Sequence, residues 1–178
     1  AAPHKFTIQP TRGEYYLLDK SEGSRVHHVI FQCPNENGKG VLVAPTVHGN
    51  LLVGPDAVRV EGDNTACTAA GLAFVSAAAR RSVPSIRFGE SIRNFAGVRA
   101  NGDTGDCVIG EAEGAPGFID LAGMKSPGLS SAPAVAKEVT KILKAHGDLP
   151  AAKTDYRDGR TRVRFKECSP EEKARLIA

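Results

Sequence analysis

GVLVAPTVHGNLLVGP, Gly40 to Pro55, is the stretch that decides the fold. Two β-rich runs, Val41 to Val47 and Leu51 to Val53, flank His48, Gly49 and Asn50. Apolar runs broken by a short Gly/Asn turn read as an antiparallel hairpin. Upstream, FTIQP (Phe6 to Pro10) and EYYLLD (Glu14 to Asp19) read as strands joined by Thr11, Arg12 and Gly13, and HHVIFQ (His27 to Gln32) follows the turn-like SEGS. Successive antiparallel strands of this kind predict a sheet with one covered face.

Downstream the period changes. In TACTAAGLAFVSAAARR, Thr65 to Arg81, Leu72, Val75 and Ala79 recur at helical spacing, Asp63 or Asn64 can cap the start, and Pro84 forbids continuation. SIRFGESIRNFAGVRA (Ser85 to Ala100) reads as extended chain before the polar loop NGDTGD, and CVIG and GFIDLAG as two short strands joined by EAEGAP. LAGMKSPGLSSAPAVAKEVTKIL, Leu121 to Leu143, then leaves a strand and enters a long helix. Ser130 or Ser131 is its expected cap, with Pro133 in the first turn and Val135, Val139, Ile142 and Leu143 as its apolar stripe. A capping box, Ser169-Pro-Glu-Glu172, starts a last helix. The fold class expected is α+β, a largely antiparallel mixed sheet with covering helices.

The 178 residues are 41% hydrophobic and 24% charged, with 23 basic residues against 20 acidic ones and a net charge of +3. A balance that close gives no general case for nucleic acid or membrane binding. KTDYRDGRTRVRFK, Lys153 to Lys166, holds six Lys or Arg against two Asp, but its aromatics are not interleaved as a base-stacking platform needs, so it reads as solvated surface. Cys33, Cys67, Cys107 and Cys168 form no CxxC pair. They read as free thiols of a reducing compartment, with no metal site and a cytoplasmic location expected. His27 and His28 fall on opposite faces of a strand and share no metal. The chain starts at Ala1 without Met, and its last helix has only KARLIA left after the capping box. It reads as a piece of a longer protein.

No complete active site announces itself, and no residue is assigned as catalytic. GKGVLV (Gly38 to Val43) lacks the third glycine of GxGxxG and reads as a turn before a strand, and GxxxxGK[ST], HExxH and GxSxG do not occur. Two stretches stand out. In FAGVRANGDTGD, Arg99 is either a structural charge or a bidentate ligand for an anionic group. In GMKSPGLSSAP, Gly123, Gly128 and the serines are either plain connection or bare amides that recognise an anion, with Lys125 adding a mobile positive charge.

Together and in order, RGEYYLLDK (Arg12 to Lys20), GKGVLVAPTVHGNLLVGPDA (Gly38 to Ala57), IRNFAGVRA (Ile92 to Ala100), DCVIG (Asp106 to Gly110) and GMKSPGLSSAPA (Gly123 to Ala134) resemble the FAD-dependent oxidoreductases of the D-amino-acid-oxidase-like superfamily. The branch most similar holds the flavin-dependent glycerol-3-phosphate dehydrogenases and L-2-hydroxyglutarate oxidases. The resemblance implies a substrate-binding, flavin-covering part of an enzyme that passes hydride from a small anionic alcohol to FAD. Residues 1–116 would form the substrate-domain-like sheet and helix, its sheet reaching about Gly105. Residues 117–147 would return to the FAD domain, and 148–178 would form a tail leading into a helix. Arg99, Lys125 and, as a lesser candidate, Arg12 would bind substrate. Gly123, Ser126, Gly128, Leu129 and Ser130 would face the flavin. Implied partners are the Rossmann half that this chain lacks and a downstream iron–sulfur domain. The resemblance also admits a quinone at a membrane periphery and a homodimer of the isolated piece, but not nucleic acid. Without the Rossmann fingerprint these residues alone would hold FAD weakly or not at all and would be inactive. The competing reading is a non-catalytic α+β binding or assembly module in which Arg99 and Lys125 are structural.

Overall fold

The structure is a computed structural model and describes residues 6–34, 40–149, 151, 153–157, 159 and 162–177. Gly38 and Lys39 of the GKGVLV stretch lie outside the described residues, as do Asp158, Arg160 and Thr161 of the basic tail. The predicted hairpin is present as β3 (Leu42–Pro45) and β4 (Leu51–Gly54), in register from Leu42↔Gly54 to Pro45↔Leu51. Its turn is longer than predicted. Thr46 and Val47 leave the strand, with the Thr46 amide donating to Asn50 O at 2.9 Å and the Gly49 amide to Thr46 O at 3.0 Å.

The two strands predicted at the start are one. β1 (Ile8–Leu18) runs unbroken through Gly13 because a long partner, β6 (Ser91–Gly102), pairs with it along its whole length from Ile8↔Gly102 to Leu18↔Ser91. On its other side β1 pairs with β4 at Tyr16 to Leu18 and with β5 (Val58–Arg59) at Thr11 and Arg12. β2 (Ile30–Phe31) closes the far edge against β3. The resulting sheet has the order β2-β3-β4-β1-β5, with β6 also on β1.

One face of the sheet is covered by α1 (Ala69–Ser82). Leu18, Val41, Val43, Leu51 and Val53 pack there with Val75 and Ala79, closed off by Val26, Val83 and Ile86. The helix starts four residues later than predicted. Thr68, not Asp63 or Asn64, is the cap, its Oγ1 accepting from the Gly71 amide at 3.0 Å. The buried positions are accordingly Gly71, Val75 and Ala79. Glu22, fully buried in a 3-10 turn, is gripped by Arg25 Nε at 2.9 Å and Arg87 Nε at 2.7 Å.

β7 (Val108–Glu111) and β8 (Ile119–Ala122) pair as a separate two-stranded sheet that contacts α2 (Gly128–His146). A division at 116/117 would cut this hairpin; the change of sheet falls between Gly102 and Val108. Glu111 ties the hairpin to the helix end through His146 Nε2 at 2.8 Å. Gly147, at φ 79°, ends α2 in the left-handed conformation that glycine adopts without strain. α2 begins earlier than predicted, with Pro127 at its cap position and Pro133 inside the helix. Ser131 caps nothing: its Oγ donates back to the Gly128 carbonyl at 3.1 Å. The capping box forms as read, with the Ser169 amide donating to Glu172 at 2.8 Å and the Glu172 amide to Ser169 Oγ at 3.2 Å, at the start of α3 (Pro170–Ile177).

Candidate functional site

The site follows from the alternation of β1. Arg12, Glu14 and Tyr16 point to the α1 side, and Thr11, Gly13 and Tyr15 to the other. On the α1 side the buried Glu14 carboxylate accepts from the Thr68 amide at 2.7 Å and Thr68 Oγ1 at 2.9 Å, and pairs with Arg12 at 2.8 Å. A negative group at the start of α1 suits the partial positive charge of a helix N-terminus. Asp56 fills the gap between β4 and β5, its Oδ1 accepting from the Glu14 amide at 2.7 Å where a strand carbonyl would otherwise stand. Burial first, then the neighbouring Glu14 charge, pushes the Cys67 thiol up.

Arg12, expected as a lesser substrate ligand, does not share the face of Arg99. It is buried against Glu14, on the face opposite Arg99.

On that opposite face Thr11 pairs with Arg99, Gly13 with Gly97 and Tyr15 with Phe95. The Tyr15 and Phe95 rings stack at 5.2 Å and 8°. The terminal nitrogens of Arg99 lie over Gly13, beside Pro55. Among the described residues neither Arg99 nor Lys125 has a carboxylate partner.

Arg99 and Lys125 line one open cleft of about 350 Å³ together with Ser126, Gly128, Leu129 and Ser130, beside Met124 and Pro127. Gly123 stands just behind it, buried at φ 67° against Gly102 and Asp106, and feeds the chain into the loop. The cleft's floor is the start of α2, which no side chain caps. The Gly128 amide donates to Lys125 O and the Ser131 amide to Pro127 O, whereas those of Leu129 and Ser130 find no carbonyl among the described residues. Two unpaired cations and two unclaimed helical amides make a site for an anion or an electron-rich edge. Among the described residues no histidine or carboxylate lines it; the lining offers positive charge and amide donors.

A family model described as FAD dependent oxidoreductase matches residues 1–142. The chain belongs to that family. It is 49% identical over 177 residues, 98% of its own length, to a glycerol 3-phosphate dehydrogenase of Caloramator mitchellensis, and 42% identical over 139 residues to a glycerol 3-phosphate oxidase of Mycoplasma genitalium. It spans 37% and 36% of the lengths of these two relatives. A solved structure of dithionite-reduced L-α-glycerophosphate oxidase from Mycoplasma pneumoniae, with FAD bound, superposes with TM-score 0.69 at 33% identity, over 78% of this chain and 37% of that one. A glycerol-3-phosphate dehydrogenase from Bacillus halodurans complexed with FAD shares the fold at TM-score 0.62 and 17% identity, over 82% of this chain and 29% of that one. The family is described by oxidoreductase chemistry that depends on FAD. The residues present fit a flavin edge, since the unclaimed amides of α2 and Lys125 offer donors and positive charge to its electron-rich side. No helix among the described residues is long and apolar enough to cross a membrane.

Three residues of the site's surroundings escape a reading of motifs: Gly13, Pro55 and Asp56. Alternation along RGE was a usable signal for the first, since it puts Gly13 on the face opposite Arg12 and Glu14. Nothing local marks Pro55 or Asp56, whose roles come from chain distant in sequence.

Proposed function

We propose that this chain is the substrate-binding and flavin-covering part of an FAD-dependent dehydrogenase or oxidase acting on glycerol 3-phosphate. The observation that carries the proposal is one cleft combining unpaired Arg99, Lys125 and the uncapped start of α2. In support, the similar proteins from Caloramator and Mycoplasma are named for glycerol 3-phosphate. Arg99 would grip the phosphate bidentately, as a guanidinium does with such oxygens. Lys125, on an exposed and mobile stem, would add a second positive charge at the cleft's rim. The amides of Leu129 and Ser130, at the positive end of α2, would favour negative charge as it develops beside them. FAD, when bound, supplies the redox chemistry by accepting hydride from the substrate carbon. These residues would do the rest: bind, orient and hold charge.

The apolar groove along α2, lined by Leu121, Met124, Val135 and Val139, would pack against the dinucleotide-binding part of the same flavoprotein. Steady-state kinetics of Arg99→Ala in the holoenzyme test the reading. KM for glycerol 3-phosphate should rise by about two orders of magnitude or more, the scale of losing a charge-assisted bidentate contact. An unchanged KM would remove Arg99 from the substrate site.

A further inference from the structure

We infer that Gly13 is a positioning residue for Arg99: its bare Cα is the seat on which the guanidinium rests, and any side chain there displaces the guanidinium from the place where it meets an anion. The inference rests on the reading of Arg99 as the anion ligand. In the β1–β6 ladder Gly13 stands directly across from Gly97, two pairs along from Thr11↔Arg99 and so on the same face. A Cβ built on Gly13 would lie 2.5 and 2.9 Å from the two terminal nitrogens of Arg99 and 2.8 Å from Pro55 Cβ. All three distances are well inside van der Waals contact, so the guanidinium, with Pro55 beside it, occupies the volume of the missing methyl group.

Shape therefore sets the position of Arg99. No carboxylate among the described residues holds it, which leaves its donor edges for an incoming anion. Gly97, the directly opposed glycine, is different. A Cβ there meets nothing within 4 Å.

Gly13 has little freedom to retreat from an added methyl. β1 is clamped from the other face on both sides of it: Arg12 pairs with Glu14, Thr68 donates twice to Glu14, and Asp56 accepts from the Glu14 amide. Arg99 ends a flexible side chain, so its guanidinium is the group that moves furthest, while the Pro55 ring, 2.8 Å from the added methyl, yields by a few tenths of an ångström and costs some stability.

The test uses holoenzyme expressed from the complete reading frame, with Gly13→Ala, Gly97→Ala, Arg99→Ala and the Gly13→Ala/Arg99→Ala double variant. Inorganic phosphate, as a competitive inhibitor of glycerol 3-phosphate oxidation, is the probe, read beside kcat, KM, flavin content and melting temperature. Gly13→Ala should raise both the phosphate Ki and KM by about tenfold to a hundredfold, the scale on which a displacement near 1 Å acts. Its kcat should fall less than KM rises, because the lost contact is held throughout the reaction. Flavin content should stay near that of the parent, melting temperature should fall by about the few degrees that crowding against Pro55 costs, and Gly97→Ala should leave all values within about twofold of the parent, as for an unhindered surface change. In the Arg99→Ala background the added methyl should raise Ki and KM no further.

A phosphate Ki for Gly13→Ala within about twofold of the parent, where Arg99→Ala shows a large loss, overturns the inference and leaves the substrate reading standing. If Arg99→Ala itself leaves Ki and KM unchanged, the substrate reading fails and the inference with it. Should Gly13→Ala not accumulate as folded protein, the double variant decides. Recovery on removing the guanidinium supports the seat, and persistent misfolding contradicts it.

Discussion

Gly71→Ala offers a sharp test of the packing on the α1 side of β1, because two effects of opposite sign meet there. Gly71 sits in the first turn of α1, and replacing a helical glycine by alanine ordinarily stabilises by about 1 kcal/mol. Here a Cβ would lie 2.5 to 2.7 Å from the Glu14 carboxylate. The carboxylate would have to retreat by about 1 Å to reach ordinary contact. It is fully buried and tied at 2.7 and 2.9 Å to Thr68 and at 2.8 Å to Arg12, so retreat stretches those bonds past usefulness. Losing two hydrogen bonds to a charged group costs about 3 to 6 kcal/mol, which outweighs the helical gain and leaves a net loss of about 2 to 5 kcal/mol. In a urea titration followed by far-UV circular dichroism, that is a fall in midpoint of about 1 M or more. In a Glu14→Ala background the same substitution should be neutral or stabilising by about 1 kcal/mol, since the colliding group is gone. A Gly71→Ala protein as stable as the parent, or more so, would refute this account of the Glu14 pocket.

Arg12→Met should lower stability by about 3 to 5 kcal/mol by leaving Glu14 buried without its counter-charge. KM for glycerol 3-phosphate should stay within about twofold, since Arg12 is a buried partner and not a ligand; a large KM change with stability intact would reverse that assignment. Hydrogen bonds from Arg25, with support from Arg87, hold Glu22 well below its ordinary 4.5, at about 2. A carboxylate depressed in the folded state contributes stability that is complete above its ordinary value and is lost as pH falls from about 4.5 toward 2. Unfolding midpoints across that window should decline steeply for the parent and less for Glu22→Gln; parallel curves would contradict the role given to Glu22. Ser169→Ala removes the reciprocal cap of α3 and should cost that helix about 1 kcal/mol. Faster amide exchange confined to Pro170–Ile177 would be the sign of it, and unchanged exchange would argue that the cap contributes nothing.

Where the period of the chain was uninterrupted, the fold was legible. The β3–β4 hairpin and the stripe of α2 follow from spacing alone. Misreadings arose where a distant residue decided a local question. Thr11-Arg12-Gly13 looks like a turn, and only the long β6 opposite makes it the middle of a strand. Asp63, Asn64 and Thr68 all suit an N-cap, and Thr68 wins because Glu14, remote in sequence, accepts from its amide and hydroxyl. Ser130 and Ser131 looked like the cap of α2, yet the helix begins at Gly128, and among the described residues the amides of Leu129 and Ser130 find no carbonyl. The candidate site was legible as two separate stretches, around Arg99 and around Lys125 to Ser130. Their meeting in one cleft depends on how the β7–β8 hairpin returns the chain to β6, which no local pattern encodes. Arg12 was misplaced for a simpler reason: its neighbour in the motif, Gly13, faces the site, and Arg12 by alternation cannot.

The central claim is that these residues cover a flavin and hold a small phosphate ester against it. Its most direct test is the visible spectrum of the protein expressed from its complete reading frame, recorded before and after anaerobic addition of glycerol 3-phosphate, with L-2-hydroxyglutarate added to a second sample. The expected result is a flavin absorbance band that bleaches with glycerol 3-phosphate and persists with the hydroxy acid. Bleaching by L-2-hydroxyglutarate alone would contradict the substrate assignment, and a protein that stays colourless after reconstitution with FAD would contradict the account as a whole.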